Sequence, residues 1–343
     1  MQNEKINPKM LILAREARGY SQADLADLSG VSRSNISRFE RENIQMGNEQ
    51  IIKIIEVLKF QESLYKADTD VLPPALYRRR DKVAARTLSQ IDANVNFYQL
   101  NIGNLLNAMQ WEAPKLPMLP ASETGSPETS AALLRRQWKL PKGVIENLTA
   151  VLEQHGIITV PVEFFTDRVD SRSVLIDDKF PVIFYNKRLL GDRLRFTLAY
   201  ELGHIVMHTR TPFVTFSDLS KETNLFAAEF LMPKETILKD LDDRLNVEAL
   251  ARLKGKWKTS MHAILYRAED LKVITENQKR YLINEFNALG IRKREPKETD
   301  VPIEKGILLR DLITKYRSKQ KMSVKQMGAF FHLTEDEFIQ RYN

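Results

Sequence analysis

Glu201, His204 and His208 stand three and four positions apart in Tyr200-Glu201-Leu202-Gly203-His204-Ile-Val-Met-His208. On a helix turning about 100° per residue they fall within a sector roughly 60° wide, so a carboxylate and two imidazoles share one face. That face suits metal-assisted hydrolysis. In H-E-x-x-H, two histidines at i and i+4 hold Zn²⁺ while the Glu takes a proton from the metal-bound water. Here Tyr200 occupies the first ligand position. Glu201 is then the candidate base, His204 and His208 are the candidate ligands, and zinc is the metal they would hold. Tyr200 lies on the neighbouring edge of the helix and Asp218 or Glu222 follows in sequence, so a substitute ligand set stays open. A zinc hydrolase needs three protein ligands, one open position and a free base; using Glu201 as a ligand would remove the base. The plainer alternative is polar packing inside a cleft with no cofactor. His155, His262 and His332 are scattered without ligand spacing, and the absence of cysteine excludes disulfides, thiolate metal sites and a cysteine nucleophile.

The surrounding text is longer and more specific than that motif. Arg193-x-Arg-Phe-Thr-Leu-Ala-x-Glu-Leu-Gly-His204, followed by Asn224-Leu-Phe-Ala-Ala-Glu-Phe-Leu-Met-Pro233, resembles the ImmA/IrrE family of zincin-like domains. The resemblance implies a third zinc ligand, usually a Glu four residues before the Asn of the second segment; Ser220 stands there. Two of the three implied ligands are replaced, and only Glu201 and His204 match the family's catalytic pattern. It further implies a small sheet beside the motif helix, whose edge receives a peptide as an added strand. Gly156 to Phe165, Ser173 to Ile176 and Pro181 to Asn186 read as its strands. A domain that lost its metal would keep a place for a peptide or small effector. The basic residues between Asn186 and Arg195 suit an acidic ligand or a solvated patch.

A second group of chemistry-bearing residues lies near the start of the chain. Leu11, Ile12, Leu13 and Ala14 seed a helix that Gly19 ends. Ser21 stands as N-cap before Gln22-Ala-Asp-Leu-Ala-Asp-Leu-Ser, with Asp24 at the third helical position, where a carboxylate suits the dipole. Gly30 supplies a turn, and Ser32 caps Arg33-Ser-Asn-Ile-Ser-Arg-Phe-Glu-Arg, whose Ile36 and Phe39 face inward. A fourth helix over 49–58 offers Ile51, Ile52, Ile55 and Leu58 as a core stripe. Ser-Gln-x-x-Leu-Ala at 21–26, Gly-Val-Ser at 30–32 and Ile-Ser-x-x-Glu at 36–40 resemble the XRE-type helix-turn-helix of phage repressors. The resemblance implies a double-stranded DNA partner, with the second helix of the pair in the major groove. Ser32, Arg33, Ser34 and Arg38 would then face DNA, Gln22 would meet the backbone or an outer base, and Arg33 would fork onto a guanine. It also implies an ion pair between Arg15 and Glu40 that braces the first and third helices. Taken singly, Arg33 and Arg38 would serve equally on a solvated face.

Other elements connect these two regions. Pro73-Pro74 breaks the chain before Tyr77-Arg-Arg-Arg-Asp-Lys-Val-Ala-Ala-Arg86, a basic cluster suited to phosphates or to solvent. Leu88, Ile91, Val95, Tyr98, Ile102, Leu105 and Leu106 recur at helical spacing and offer a seam through which a homodimer, usual for operator binding, would form. Ala113 to Ser130 reads as a Pro/Ser/Thr-rich linker. Echoes of a helix-turn-helix recur at Leu253 to Arg267, with Ser260 as a cap, and from Ser323 to Phe338; a second DNA surface is open to both, and oligomer contact or domain packing is the plainer role.

At 343 residues the chain is too long for one small core. Its excess of 52 basic over 45 acidic residues, net +7, favours an anionic partner. No basic-then-apolar leader or membrane-spanning run is evident, so a cytoplasmic protein without a membrane partner is expected. The expected architecture is multidomain and mainly α: an all-α helix-turn-helix at 1–66, a helical connector and linker at 67–130, an α+β zincin-like domain with a small sheet at 131–240, and a helical C-terminal region at 241–343. The expected function is a DNA-binding transcriptional regulator whose zincin-like domain senses a peptide or effector. Two alternatives stay open: a zinc metalloendopeptidase that cleaves a repressor, and a toxin-antitoxin or phage-defence component.

Overall fold

The computed structural model describes residues 6–42, 44–67, 78–79, 82–209 and 216–342, without the side chains of 79 and 216–218. The Pro73-Pro74 break, most of the basic cluster from Tyr77 to Asp81, and the side chain of Asp218 lie outside the described residues. The chain packs as two units. One comprises Met1–Glu112, Val162–Val169 and Ile307–Asn343; the other comprises Ala113–Pro161 and Asp170–Gly306. The region read from sequence as one tail at 241–343 is thus shared between them, because packing joins segments that sequence separates widely. Both units are mainly helical, and the second also holds a small sheet.

The first unit starts with helices Pro8–Ala17, Gln22–Ser29, Arg33–Glu40 and Asn48–Leu58. Their ends are set locally. Ser21 accepts the Asp24 amide while Asp24 accepts the Ser21 amide, a reciprocal capping box, and Gly30 ends that helix at φ +69°, a left-handed turn that glycine adopts without steric cost. Met10, Leu25, Ile36 and Leu58, one from each helix, are fully buried, each contributing about 1.5–3 kcal/mol by leaving water. The fourth helix turns a different face inward from the one expected: Ile54 and Leu58 are buried, Ile51 and Ile55 are half-buried, and Ile52 is 51 % exposed. Four isoleucines within five positions wrap too far round the helix for apolarity alone to select the buried pair.

The long helix Ala85–Ala108 corrects a second expectation. Its apolar stripe is used inside the chain, since the helix packs along Pro8–Ala17 and against the C-terminal helix Glu335–Tyr342. Asn94 donates to the Ala17 carbonyl at 3.0 Å and accepts from Arg341 at 3.1 Å. Tyr98 meets Tyr342 edge to face. Ile91, Val95, Ile102, Leu105 and Leu106 are fully buried, so this stripe is not left over for a second copy.

In the second unit, strands Val169–Ile176 and Phe180–Asn186 pair antiparallel from Ser171 opposite Tyr185 to Ile176 opposite Phe180. Ile158–Val162 flanks Phe180–Asn186 on its other side. The motif helix Gly191–Met207 runs alongside helix Phe216–Leu231. Gly203 permits that approach: a Cβ there would stand 2.9 Å from the Phe226 ring. Leu198, Leu202, Phe226 and Phe230 fill the interface. The expected linker is anchored to this unit, where the Leu119 amide donates to the Val206 carbonyl at 2.7 Å and helix Pro127–Gln137 starts before the linker was expected to end. Helices Val247–Trp257 and Met261–Asp270 carry the first helix-turn-helix echo. Ser260 caps the second of them, but its opening residue Met261 is fully buried, so this echo is packing. Among the described residues no helix is long and apolar enough to cross a membrane.

Candidate functional site

Tyr200 and Glu201 are each only 2 % exposed. Glu201 sits where the motif helix faces strand Val169–Ile176, and because alternate strand residues share a face, Ser171 and Ser173 both reach it. The Ser171 hydroxyl donates to Oε1 at 2.5 Å and the Ser173 hydroxyl to Oε2 at 2.6 Å. Both oxygens of the candidate base are therefore engaged by short hydrogen bonds. The strand expected from sequence at Ser173 to Ile176 starts earlier, at Val169, and so brings Ser171 onto the same face as Ser173; the i, i+2 spacing of the two serines is the sequence signal for this pair.

At the two positions where the family resemblance implies metal ligands, Tyr200 Oη donates to Ser220 Oγ at 3.3 Å. One turn along the helix, the Nδ1 atoms of His204 and His208 are 3.2 Å apart, and His208 Nε2 meets Glu222 at 2.9 Å. Tyr200 lies edge to face against His204. Glu222 thus reaches the far nitrogen of His208 and does not stand in for the missing Glu. Among the described residues no three His, Asp or Glu side chains are grouped so that they could hold a metal ion. The two imidazoles, one outlying carboxylate and a hydroxyl pair do not fit a closed three-ligand zinc set with an open position.

Between Asn186 and Arg195 the basic residues divide: Lys187 and Arg188 are exposed, whereas Arg193 and Arg195 are internal braces and not part of an acidic-ligand or solvated patch. Arg193 grips Asp170 through both Nη2 and Nε. Arg195, 1 % exposed, pairs with Glu304 and donates to the Ile145 carbonyl at 2.6 Å. Lys254 lies between Asp192 and Glu295, 2.7 Å from each. Burial would raise the Glu295 pKa, but hydrogen bonds from His262, Lys254 and the Met261 amide outweigh it and bring the carboxyl down to about 2. His155 stacks on Trp138.

At the other candidate interface, Ser32 caps Arg33–Glu40 by accepting the Asn35 amide at 3.2 Å. Ser32, Arg33, Ser34 and Arg38 are all exposed, while Ile36 and Phe39 are buried. Arg15 pairs with Glu40 through Nε at 2.6 Å and Nη2 at 3.1 Å, the brace the resemblance implies. Gln22 is tied into it, its amide donating to Glu40 at 2.7 Å. Of the basic cluster, Arg86 donates to the Gly19 carbonyl and to Asp24 at 2.8 and 2.7 Å. It thereby braces the cap of the second helix.

Residues 11–63 match the family described as Helix-turn-helix and residues 152–269 the family described as IrrE N-terminal-like domain. The chain thus joins an XRE-type head to an ImmA/IrrE-like domain, and the first match supports DNA binding. No curated protein sequence matches it.

Proposed function

We propose that this chain, a helix-turn-helix fused to an IrrE-like domain, is a cytoplasmic transcriptional regulator that reads duplex DNA through Ser32, Arg33, Ser34 and Arg38. Its IrrE-like domain binds a peptide or small effector beside the motif helix and does not hydrolyse it. The observation that carries this reading is the contrast between the two sites. The recognition helix offers four exposed polar residues on a braced scaffold, whereas both oxygens of Glu201 are already bonded.

A bound effector acts by biasing how two reading heads in a homodimer engage an operator, and linkage requires that DNA change effector affinity by the same factor. Mapping bound DNA across a genome with wild type and Arg33→Ala tests the reading: the variant loses about 1–3 kcal/mol of discrimination at one base position. Unchanged site choice would count against Arg33. The rival reading, a zinc endopeptidase acting on a repressor, draws on the close approach of His204 and His208. Stoichiometric zinc that disappears in His204→Ala, together with proteolysis that chelators abolish, would establish it in place of the sensor.

A further inference from the structure

The echo at Ser323 extends through three helices, Leu308–Gln320, Val324–Phe330 and Glu335–Tyr342. From Arg317 to Phe338 it runs in register with Arg15 to Ile36 without a gap. Equivalent positions do equivalent work. Arg15 donates to the Tyr20 carbonyl at 2.8 Å, and Arg317 to the Met322 carbonyl at 3.1 Å. Ser21 forms a capping box with Asp24, and Ser323 forms one with Gln326. Leu25 and Met327 are both fully buried. The turn residues Gly30 and His332 are both left-handed, at φ +69° and +57°. Ser32 accepts the Asn35 amide at 3.2 Å, and Thr334 accepts the Glu337 amide at 3.3 Å. Ile36 and Phe338 face inward in the same place.

The surface differs where the fold agrees. Ser32, Arg33, Ser34 and Arg38 correspond to Thr334, Glu335, Asp336 and Gln340, all of them exposed. Two arginines have given way to one carboxylate and one amide, and a serine to a second carboxylate. Phosphate binding depends on cations that displace counterions, and an acidic first turn repels the backbone it would have to approach. The C-terminal copy is instead bound to the N-terminal one. Glu337 takes both Nη atoms of Arg18. The Gln61 amide donates to the His332 carbonyl at 3.1 Å, the Gln61 side chain to the Leu333 carbonyl at 3.2 Å, and Ser63 Oγ lies 2.7 Å from His332 Nδ1.

We propose that Leu308–Tyr342 is a second, non-reading helix-turn-helix whose partner is the first: it has exchanged its DNA-facing charge for an acidic turn and clamps the reading head through Arg18, Gln61 and Ser63. Each chain then carries one reading surface and its own intrachain companion, and a dimer must form through other faces. The claim about DNA rests on the proposed function, whereas the docking does not.

The test uses the full-length chain, an operator duplex selected from the mapped sites, and hydrogen exchange across 324–342. Arg33→Ala/Arg38→Ala abolishes site-specific binding, while Glu335→Ala/Asp336→Ala keeps the same base preference and footprint. Glu337→Arg accelerates exchange over the last two helices; Glu337→Gln does so less, and the Glu335→Ala/Asp336→Ala variant does not. A changed base preference in Glu335→Ala/Asp336→Ala would make the second copy a reader and overturn the proposal, as would unchanged exchange in Glu337→Arg. Failure of the wild-type chain to select any duplex would remove the DNA reading, while the exchange arm still decides the docking.

Discussion

The Tyr200 hydroxyl lies 3.3 Å from that of Ser220, so the two residues standing where a zinc site would have its first and third ligands are bonded to each other. A neutral pair that satisfies itself needs no cation. Restoring both ligands is therefore informative. Tyr200→His/Ser220→Glu, which adds an imidazole and a carboxylate around His204, is expected to bind zinc stoichiometrically, while neither single variant does. Chelator competition and metal analysis measure this, and a zinc-free double variant would mean that these positions do not converge on one ion.

Glu201 supplies the second prediction. Hydrogen bonds to a buried carboxylate are worth about 1.5–3 kcal/mol each, so Ser171→Ala should lower stability by that order in urea titrations. Glu201→Gln leaves one oxygen to accept from a hydroxyl and one amide to donate to the other, which can turn to accept, so it should cost less than Ser171→Ala. Equal stability of wild type and Ser171→Ala would show that the hydroxyl is dispensable.

The third prediction concerns acid. Glu295 has a folded pKa near 2 against an ordinary 4.5, so its contribution is present above pH 4.5 and drains away as pH falls from about 4.5 toward 2. For Lys254 burial acts to lower the pKa, but hydrogen bonds to Asp192 and Glu295 hold it above 10.5, so its contribution is lost only as pH rises beyond that value. Lys254→Met strands two buried carboxylates and should cost about 3–5 kcal/mol at neutral pH. Its loss on acidification should be smaller than that of wild type, because protonation relieves the stranded pair. A parallel acid profile for the two proteins would refute the assignment.

What could be read from the sequence is what short-range physics decides. The caps at Ser21, Ser32 and Ser260 hold because a hydroxyl reaches an amide three residues on. The partner of Arg195, Glu304, lies 109 positions away, beyond the reach of any local pattern. The serines holding Glu201 were missed for a related reason, since a strand and a helix meet there through tertiary packing and no local pattern announces it. Ile52 and Ile54 were exchanged because periodicity gives the width of an apolar face and not its rotation. The stripe from Ile91 to Leu106 was legible as a seam, but the identity of its partner, the chain's own first and last helices, was not.

Arg15 and Arg33 separate structure from recognition in the reading head. Arg15 is buried, and it is bonded to Glu40 and to the Tyr20 carbonyl. Arg15→Ala therefore leaves Glu40 with Gln22 as a neutral partner and should destabilise the head by about 3–5 kcal/mol, the cost of breaking a buried pair on one side. Arg33 is exposed, so Arg33→Ala should leave the melting temperature unchanged while relaxing one base preference, with little change in the salt dependence that phosphate contacts set. Calorimetry and binding titrations at several salt concentrations measure the two effects. If Arg33→Ala lowered the melting point as Arg15→Ala does, the side chain would be part of the scaffold, and the contact with guanine would have to be sought at Arg38.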